Sequence, residues 1–319
     1  MSPKYSSSRA LASGIIAGVA TAAYSATVGR RHFVVQQETL PLLPAGADPI
    51  RILHLSDFHM TPENKELQRF LTVLGDLKPD LVIDTGDNLA HPKAVPSVIQ
   101  SLGPLLDIPG FFVFGSNDYF APDFKNPLSY LWGESTLRQH RKPLPWTGMR
   151  AAFQEHGWKD ATHQKLAINI NNVNITVAGV DDPHINRDRY DTIAGGPLPG
   201  SDLAIALTHA PEPRVLSNFS ADGYDLAFAG HTHGGQVCWP NGTAIVTNCG
   251  IDRERAHGLH RFEHLWLNVS AGLGTSPYAP FRLFCPPEAT LLELTLPPGN
   301  CSLMTPYSHS IFSIYRLVY

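Results

Sequence analysis

The chain has 319 residues and a formal net charge of −4, with 15 histidines and 4 cysteines. This length suits one large α/β domain, and the negative charge gives no support to nucleic acid or an anionic membrane as a bulk electrostatic partner. The cysteines are widely spaced and form no C-x-x-C motif, so we expect ordinary thiols.

The N-terminal stretch differs from the rest of the chain. Residues 10–28 carry no charge and have basic residues on both sides. The stretch is barely long enough to span a bilayer, and it also fits a cleaved signal or a surface helix. We predict an anchor or signal-like segment and linker over residues 1–40. Membrane association through residues 10–28 is expected, with the side of the membrane open and a cytoplasmic protein as the alternative.

Three apolar bursts follow in chain order: "IRILHLSDFHM", "PDLVIDTGDNL" and "PGFFVFGSNDY". Each has the length of a strand and ends in polar residues. Apolar residues at helical spacing within 63–78 and 95–102 predict helices between these strands. Alternating strands and helices favour parallel βαβ units.

The remaining chain divides into a long irregular stretch, a second set of strands and a tail. Residues 120–149 are rich in Pro, aromatic and basic residues, and we predict a cap-like insertion beside the site. Two apolar segments around Asn171 and Asn172 predict a hairpin. "DLAIALTHAPEP", "YDLAFAGHTHGG", "HLWLNV" and "EATLLELTL" predict further strands, and residues 301–319 form a tail of no clear class.

Polar residues that can bind metals follow five of the predicted strands. They are Asp57, His59, Asp87, Asn117, His209, His231 and His233. Ligands of open α/β sheets bind outside the carboxyl ends of the strands, where all of these residues fall. Seven groups exceed the needs of one tetrahedral zinc, and the mixed nitrogen and oxygen donors suit two divalent ions of Mn, Fe or Zn.

The motifs "DFH", "GDN", "GSND", "THAP" and "GHTH", in this order, resemble those of the calcineurin-like metallophosphoesterases from about Ile50 to Leu296. "GVDDP", "GHTHGGQV" and "SAGLGTSPYAPFRLFCPPEATLLEL" resemble the branch whose members carry an N-terminal signal or anchor, with an actinobacterial group most similar. The resemblance implies a four-layer α-β-β-α sandwich, an α/β fold, over residues 41–300.

The resemblance also implies how the ligands divide between two ions. Asp57, His59, Asp87 and His233 would hold one ion. Asp87, Asn117, His209 and His231 would hold the other, with Asp87 as the bridge. A bridging hydroxide would then attack phosphorus.

One motif departs from the family pattern, which reads G-N-H-D where this chain reads G-S-N-D. Asn117 either reaches the metal or only hydrogen-bonds substrate, with Ser116 or water as the ligand in its place. No histidine stands here to assist the leaving group, so we name Asn117 and His184 as catalytic candidates.

Other polar residues have less certain roles. We expect Asn88, Ser116 and Arg214 to meet substrate, although a surface role is the default for an arginine. Asp84 and His54 are interpreted as structural. Asp181 and Asp182 either orient histidine ligands or form a turn.

The function expected from these residues is metal-dependent hydrolysis of a phosphodiester or a lipid-linked phosphate ester. A nuclease of the same fold is a weaker alternative, because the chain has no basic stripe. The third reading is a non-catalytic, membrane-tethered metal-binding protein, in which the altered "GSND" marks lost activity.

Overall fold

The computed structural model describes residues 4–123 and 141–297. The helices are α1 (Lys4–Thr27), α2 (Lys65–Val73), α3 (Val95–Leu102), α4 (Ser116–Tyr119), α5 (Trp146–Glu155) and α6 (Pro213–Ala221). The strands are β1 (Val34–Pro41), β2 (Ile50–Leu55), β3 (Leu81–Asp84), β4 (Gly110–Phe112), β5 (Lys159–Asp160), β6 (Gln164–Ile170), β7 (Val173–Gly179), β8 (Leu203–Leu207), β9 (Leu226–Ala229), β10 (Gly258–Phe262), β11 (Leu265–Val269) and β12 (Glu288–Thr295).

The strands form two six-stranded sheets with the orders β1-β12-β2-β3-β4-β5 and β10-β11-β9-β8-β7-β6. Within each sheet the central strands are parallel, as β2, β3, β4 and β5 are in the first. In the second, β7, β8, β9 and β11 run parallel. The carboxyl ends of these strands therefore meet at one edge of each sheet.

The sheets pack face to face, and helices cover their outer faces. Alternation along β2 shows how, since Ile52 packs between the sheets while Leu53 packs toward α2 and α3. On the far side, Phe219 of α6 packs on Ala206 of β8 and its neighbours. The result is the expected α-β-β-α arrangement of four layers.

The local predictions for helices and turns are confirmed where the sequence pattern is strong. α2 buries Leu67 and Leu71, and the Asn64 side chain caps its first turn by accepting from the Leu67 amide at 3.3 Å. β6 and β7 pair as a hairpin whose turn residues, Asn171 and Asn172, have φ angles of 50° and 62°. Asparagine tolerates this left-handed conformation, which a two-residue hairpin turn needs.

The predicted boundary between linker and domain at residue 41 is too late. β1 pairs in parallel with β12 along its whole length, so residues 34–41 belong to the first sheet. The sequence did not show this because β1 is an edge strand with polar residues in its middle, of which Gln37 and Thr39 are exposed and Gln36 and Glu38 are half-buried.

The segments predicted to lie outside the main domain are described only in part. Within the 120–149 insertion, residues 124–140 lie outside the described part of the chain, as does the 301–319 tail. The end of the insertion starts α5, where Met149 is buried on the first sheet. Among the described residues, no helix combines the length and the apolar character needed to cross a bilayer.

Candidate metal centre

The predicted ligands come together at the shared edge of the two sheets. Asp57, His59 and His233 form the first ligand group, and Asp57, Asp87 and His209 form the second. Within each group the donor atoms lie within 4.8 Å of one another. One oxygen of Asp87 lies 3.7 Å from His59 Nε2 and 3.5 Å from His209 Nε2, between the two groups. This position suits the bridging role that was predicted for Asp87.

The backbone at the ligands adopts an unusual conformation. Asp57, His59, Asp87, His231 and His233 all have positive φ angles, between 42° and 69°. For residues other than glycine this conformation costs on the order of 1–3 kcal/mol each. The strain is concentrated where each strand ends, because the chain must turn sharply to present its side chain to the common cavity.

Two glycines allow the ligand loops to approach closely. A Cβ atom on Gly115 would collide with Asp87 and His209, and one on Gly230 would collide with Asp57. Only glycine fits these positions without displacing the ligands.

The donor atoms fit divalent cations. His209 Nδ1 lies 2.7 Å from the Thr85 carbonyl and donates to it, so Nε2 is the nitrogen that a cation could bind in place of a proton. His209 Nε2 and Asp57 Oδ1 are both buried and have no hydrogen-bond partner. His59 Nε2 and His233 Nε2 face each other at 3.0 Å, where a shared proton or a shared cation satisfies both. Nitrogen and carboxylate oxygen together suit Mn, Fe or Zn.

The ring of His231 lies beside the second ligand group but is not part of it. It lies 5.2 Å from the His209 ring, measured between centroids. Its Nε2 lies 3.1 Å from the Asn248 carbonyl and donates to it, which leaves Nδ1 as the free donor atom. Its backbone amide also donates to Asp57, at 3.0 Å.

Burial controls the protonation of these imidazoles. It lowers the pKa values of His59, His231 and His233, so these rings are neutral, as metal ligands must be. Burial also disfavours protonation of His209, but nearby carboxylates, led by Asp87, raise its pKa well above the ordinary value. In turn, burial opposes ionisation of Asp87, and the charge of His209 nevertheless holds the pKa of Asp87 well below its usual range.

The G-S-N-D loop places both candidate ligands at the cavity. Asn117 donates from its backbone to one oxygen of Asp87 at 2.7 Å and from its side chain to the other at 2.6 Å. Ser116 lines the cavity, and its amide donates to Asp182 at 2.9 Å. The side chain of Asn117 thus lies against the bridging carboxylate. That Asn117, rather than Ser116, binds metal stays a prediction.

The predicted substrate-binding and catalytic residues are not all at the cavity. His184 lines it, with its ring 4.3 Å from that of His231. Asn88 is fully buried away from it and donates to Asp84 at 3.2 Å. Arg214 forms a two-point ion pair with Asp188 and does not line the cavity. The positions of Asn88 and Arg214 therefore do not support direct contact with substrate.

The residues interpreted as structural lie behind the ligands. Asp84 accepts from the Gly86 amide at 2.8 Å, and burial raises its pKa to about 7. His54 of β2 packs against Phe228 of β9, between the sheets, and burial lowers its pKa to about 3. Asp181 and Asp182 accept from Tyr119, Arg187 and backbone amides, and no described hydrogen bond joins them to a ligand imidazole.

Three residues that the sequence did not single out complete the site. Asp118 accepts from the amides of Asp87, Asn88 and Gly115, which ties the loops after β3 and β4 together. Arg141 lines the cavity and donates to Asn117 Oδ1 at 3.3 Å. Asp118 ends the G-S-N-D motif and Arg282 lies within the stretch from Ser270 to Leu294 that resembles the family, but neither motif indicated what the side chain contacts.

The third of them, Arg282, is fully buried behind His233. Its guanidinium donates to six backbone carbonyls, those of Ala271, Gly272, Gly274, His233, Cys285 and Pro286. It also lies 3.4 Å from His233 Nδ1. The guanidinium of Arg282 therefore joins the loop that contains His233 to the loops behind it.

The cavity above the ligands has a volume of about 330 Å³. Its polar lining includes His59, Asp87, Ser116, Asn117, Asp123, Arg141, His231, His233 and Asn248. Its apolar lining includes Pro122, Val237, Ile245, Val246, Ala279 and Phe281. The cavity can therefore hold a small group that has both charged and apolar parts.

Comparison with known proteins agrees with this geometry. The model of the family described as calcineurin-like phosphoesterase matches residues 50–235. The chain is 29% identical over 293 residues to the uncharacterized protein YpbG of Bacillus subtilis, covering 88% of this chain and 97% of that protein.

Two further relatives have more informative names. The chain is 27% identical over 299 residues to the phosphodiesterase YaeI of Escherichia coli, covering 87% of this chain and 96% of that protein. It is 25% identical over 269 residues to a Bos taurus transmembrane protein with a metallophosphoesterase domain, covering 80% and 55% respectively. With a family match over more than half of its length and the ligands gathered at one sheet edge, this chain belongs to the calcineurin-like phosphoesterase family.

Proposed function

We propose that this protein hydrolyses a phosphate ester, preferably a phosphodiester or a lipid-linked phosphate ester, with two divalent cations in its centre. The observation that carries the proposal is the pair of ligand groups that share Asp57, with Asp87 of the second group 3.7 Å from His59 of the first. Similarity to the phosphodiesterase YaeI supports a diester. When bound, such cations would lower the pKa of an attacking water between them and neutralise the charge that develops on phosphorus.

The residues of the chain supply binding and orientation in this reaction. Arg141 is the cationic side chain among the described cavity-lining residues other than histidine, and it suits a phosphoryl oxygen. Its contact with Asn117 keeps the guanidinium next to Asp87. Donors fixed in this way before substrate binds stabilise the transition state without reorganising.

A proton for the leaving group would come from His184. The ring lines the cavity beside His231, so a leaving oxygen held there lies within its reach. General acid catalysis is typically worth about 10²–10⁴-fold. His184→Ala should therefore slow an alkyl ester with a poor leaving group far more than a nitrophenyl ester. Equal slowing of the two esters would remove His184 from this role.

The proposal is tested with purified protein, chelator and metal. We expect hydrolysis of bis-p-nitrophenyl phosphate that chelation abolishes and that Mn²⁺ or Zn²⁺ restores. Two bound ions per chain without turnover on any ester would favour the non-catalytic metal-binding alternative. Cleavage of DNA in preference to small diesters would favour the nuclease.

Attachment to a membrane through residues 10–28 stays part of the proposal. The segment belongs to α1, where Ile16 and Val19 are exposed, and we propose that this helix attaches the protein to the surface of a bilayer. The bovine relative is named as a transmembrane protein, which makes a membrane location worth testing here.

A further inference from the structure

The large apolar side chains that remain exposed are not scattered evenly over the described residues. Four lie on or just after α1: Ile16, Val19, Tyr24 and Val28. Four more lie on loops after β9 and β11: Trp239, Tyr278, Phe281 and Phe284, which we call the aromatic rim. Leu296, after the end of β12, is the remaining member of this set. Such concentrations of exposed apolar surface usually mark a binding surface.

The aromatic rim and the end of α1 adjoin each other. The Arg282 amide donates to the Ser25 carbonyl at 3.1 Å, which joins the rim loop to α1. Tyr24 and Phe284 line the same shallow surface cavity. The Cys238 amide donates to the Leu283 carbonyl at 2.9 Å, so Trp239 lies next to this loop. The two groups therefore form one apolar surface.

This surface lies at the mouth of the metal cavity. Phe281 belongs to both, since it lines the cavity while 38% of its surface remains exposed. The topology explains the position. β12 runs antiparallel to β2, so β12 starts at the edge where β2 ends and where the predicted ligands lie. β1 is parallel to β12 and starts at the same edge, so α1, which precedes β1, leads into the sheet there. Leu296 lies at the opposite edge for the same reason.

The charge of the adjoining chain indicates what covers the surface. The first 37 residues contain four basic and no acidic residues. Residues 16–24 of α1 are exposed, so no other part of the described chain packs over them. Tyrosine and tryptophan favour the boundary between water and lipid, and basic residues favour anionic headgroups.

We propose that α1 and the aromatic rim dock on an anionic lipid bilayer and so hold the mouth of the metal cavity against the headgroups. The substrate is then a phosphate ester with an apolar chain, which packs on Val237, Val246 and Phe281 while its phosphate meets the metal centre. This substrate class rests on the proposed function, whereas the docking itself does not.

Docking is tested by co-sedimentation of the full chain with vesicles. We expect binding to vesicles of phosphatidylcholine containing phosphatidylserine, weaker binding to phosphatidylcholine alone, and release by salt. Trp239→Ser with Phe284→Ser should lower the partition coefficient at least about tenfold, since each side chain loses a buried apolar contact with lipid. Ile16→Ser with Val19→Ser should have a similar effect.

Leu296→Ser provides the matched control, because it removes an exposed apolar side chain at the opposite edge. It should bind vesicles like the unaltered protein, and all of these variants should hydrolyse soluble bis-p-nitrophenyl phosphate equally. No binding to anionic vesicles, or equal binding by the rim variant and the Leu296 variant, would overturn the docking. Vesicle binding without hydrolysis of any ester would instead contradict the proposed function while still supporting the docking.

The substrate class has its own measurement. A phosphodiester with an acyl chain, embedded in anionic vesicles, should be cleaved faster than the same headgroup ester free in solution. The rim variant should lose this preference while it retains activity on the soluble ester. Equal rates on the two esters would refute the lipid substrate.

Discussion

The two ligand groups share Asp57 but are held in place in different ways. The first group, with His59 and His233, is backed by the buried Arg282 and its carbonyl contacts. The second, with Asp87 and His209, depends on the short loop around Asn117. That loop departs from the family motif, whereas the residues of the first group do not. From this difference we expect the first group to be the more rigidly held of the two, and the second group to be more sensitive to changes in the loop around Asn117.

The strongest test of this comparison is Asp87→Asn. One oxygen of Asp87 lies between the two groups, so its loss should reduce turnover by about 10³-fold or more. Elemental analysis should find that the second ion is lost before the first. Asp188→Asn, which disturbs only the ion pair with Arg214, should leave activity and metal content unchanged. Full turnover with Asp87→Asn would show that the centre is not catalytic.

The second group is tested by restoring the family motif with Ser116→Asn and Asn117→His together. An imidazole at residue 117 would be placed beside Asp87 and could protonate the leaving group, so rates on poor leaving groups should rise about 10²–10⁴-fold. Rates on nitrophenyl esters should change much less, because those leaving groups need no proton. Ser116→Asn alone should show no such selectivity. An unchanged ratio of the two rates would mean that this loop does not reach the leaving group.

The first group is tested by Arg282→Met. The change leaves buried carbonyls without a donor, and each costs about 1–3 kcal/mol if it stays unpaired, so the free energy of unfolding should fall by several kcal/mol. Denaturant unfolding measures the loss. At a temperature where the variant is folded, it should bind the first ion more weakly than the second. Arg255→Met, at an exposed ion pair, should unfold like the unaltered protein.

The smallest expected effect concerns the support of Asp57. A chain of hydrogen bonds runs from Asn268 through His54, Thr85 and Ser56 to Asp57, with lengths between 2.5 and 2.9 Å. His54 accepts from Asn268 at one nitrogen and donates to Thr85 at the other, so this chain requires the neutral ring. Both groups share Asp57, so both depend on a buried histidine that is not itself a predicted ligand.

His54→Gln should change how stability depends on pH. Burial lowers the pKa of His54 from 6.5 to about 3 in the folded chain, so the unfolded chain takes up the proton first as pH falls. Stability is therefore lost between those values at up to about 1.4 kcal/mol per pH unit. The variant should lack this contribution, as measured by urea unfolding at several pH values. His156→Gln, at an exposed position, should keep the slope of the unaltered protein.

Much of the molecule could be predicted from local pattern. Strands such as β2 and β9 are apolar bursts that end in polar residues. Five of the predicted ligands fall in the two groups that could hold a metal, and His231 and Asn117 lie beside them. The assignments for Asn88 and Arg214 had no such support. A polar residue near a motif reaches the site only if the local backbone directs its side chain there, and the motif does not show that direction. Asn88 turns toward Asp84 instead, and Arg214 turns toward Asp188.

By itself, the sequence determined which residue types follow each strand and therefore the chemistry of the centre, since parallel strands bring their carboxyl ends to one edge. Only the tertiary structure decided that Arg141, Asp118 and Arg282 support that centre, because their partners are distant in the chain or are backbone atoms that leave no pattern. The same holds for the aromatic rim. Exposure is a property of the folded surface, and periodicity along one strand or helix cannot report where two distant loops and α1 meet.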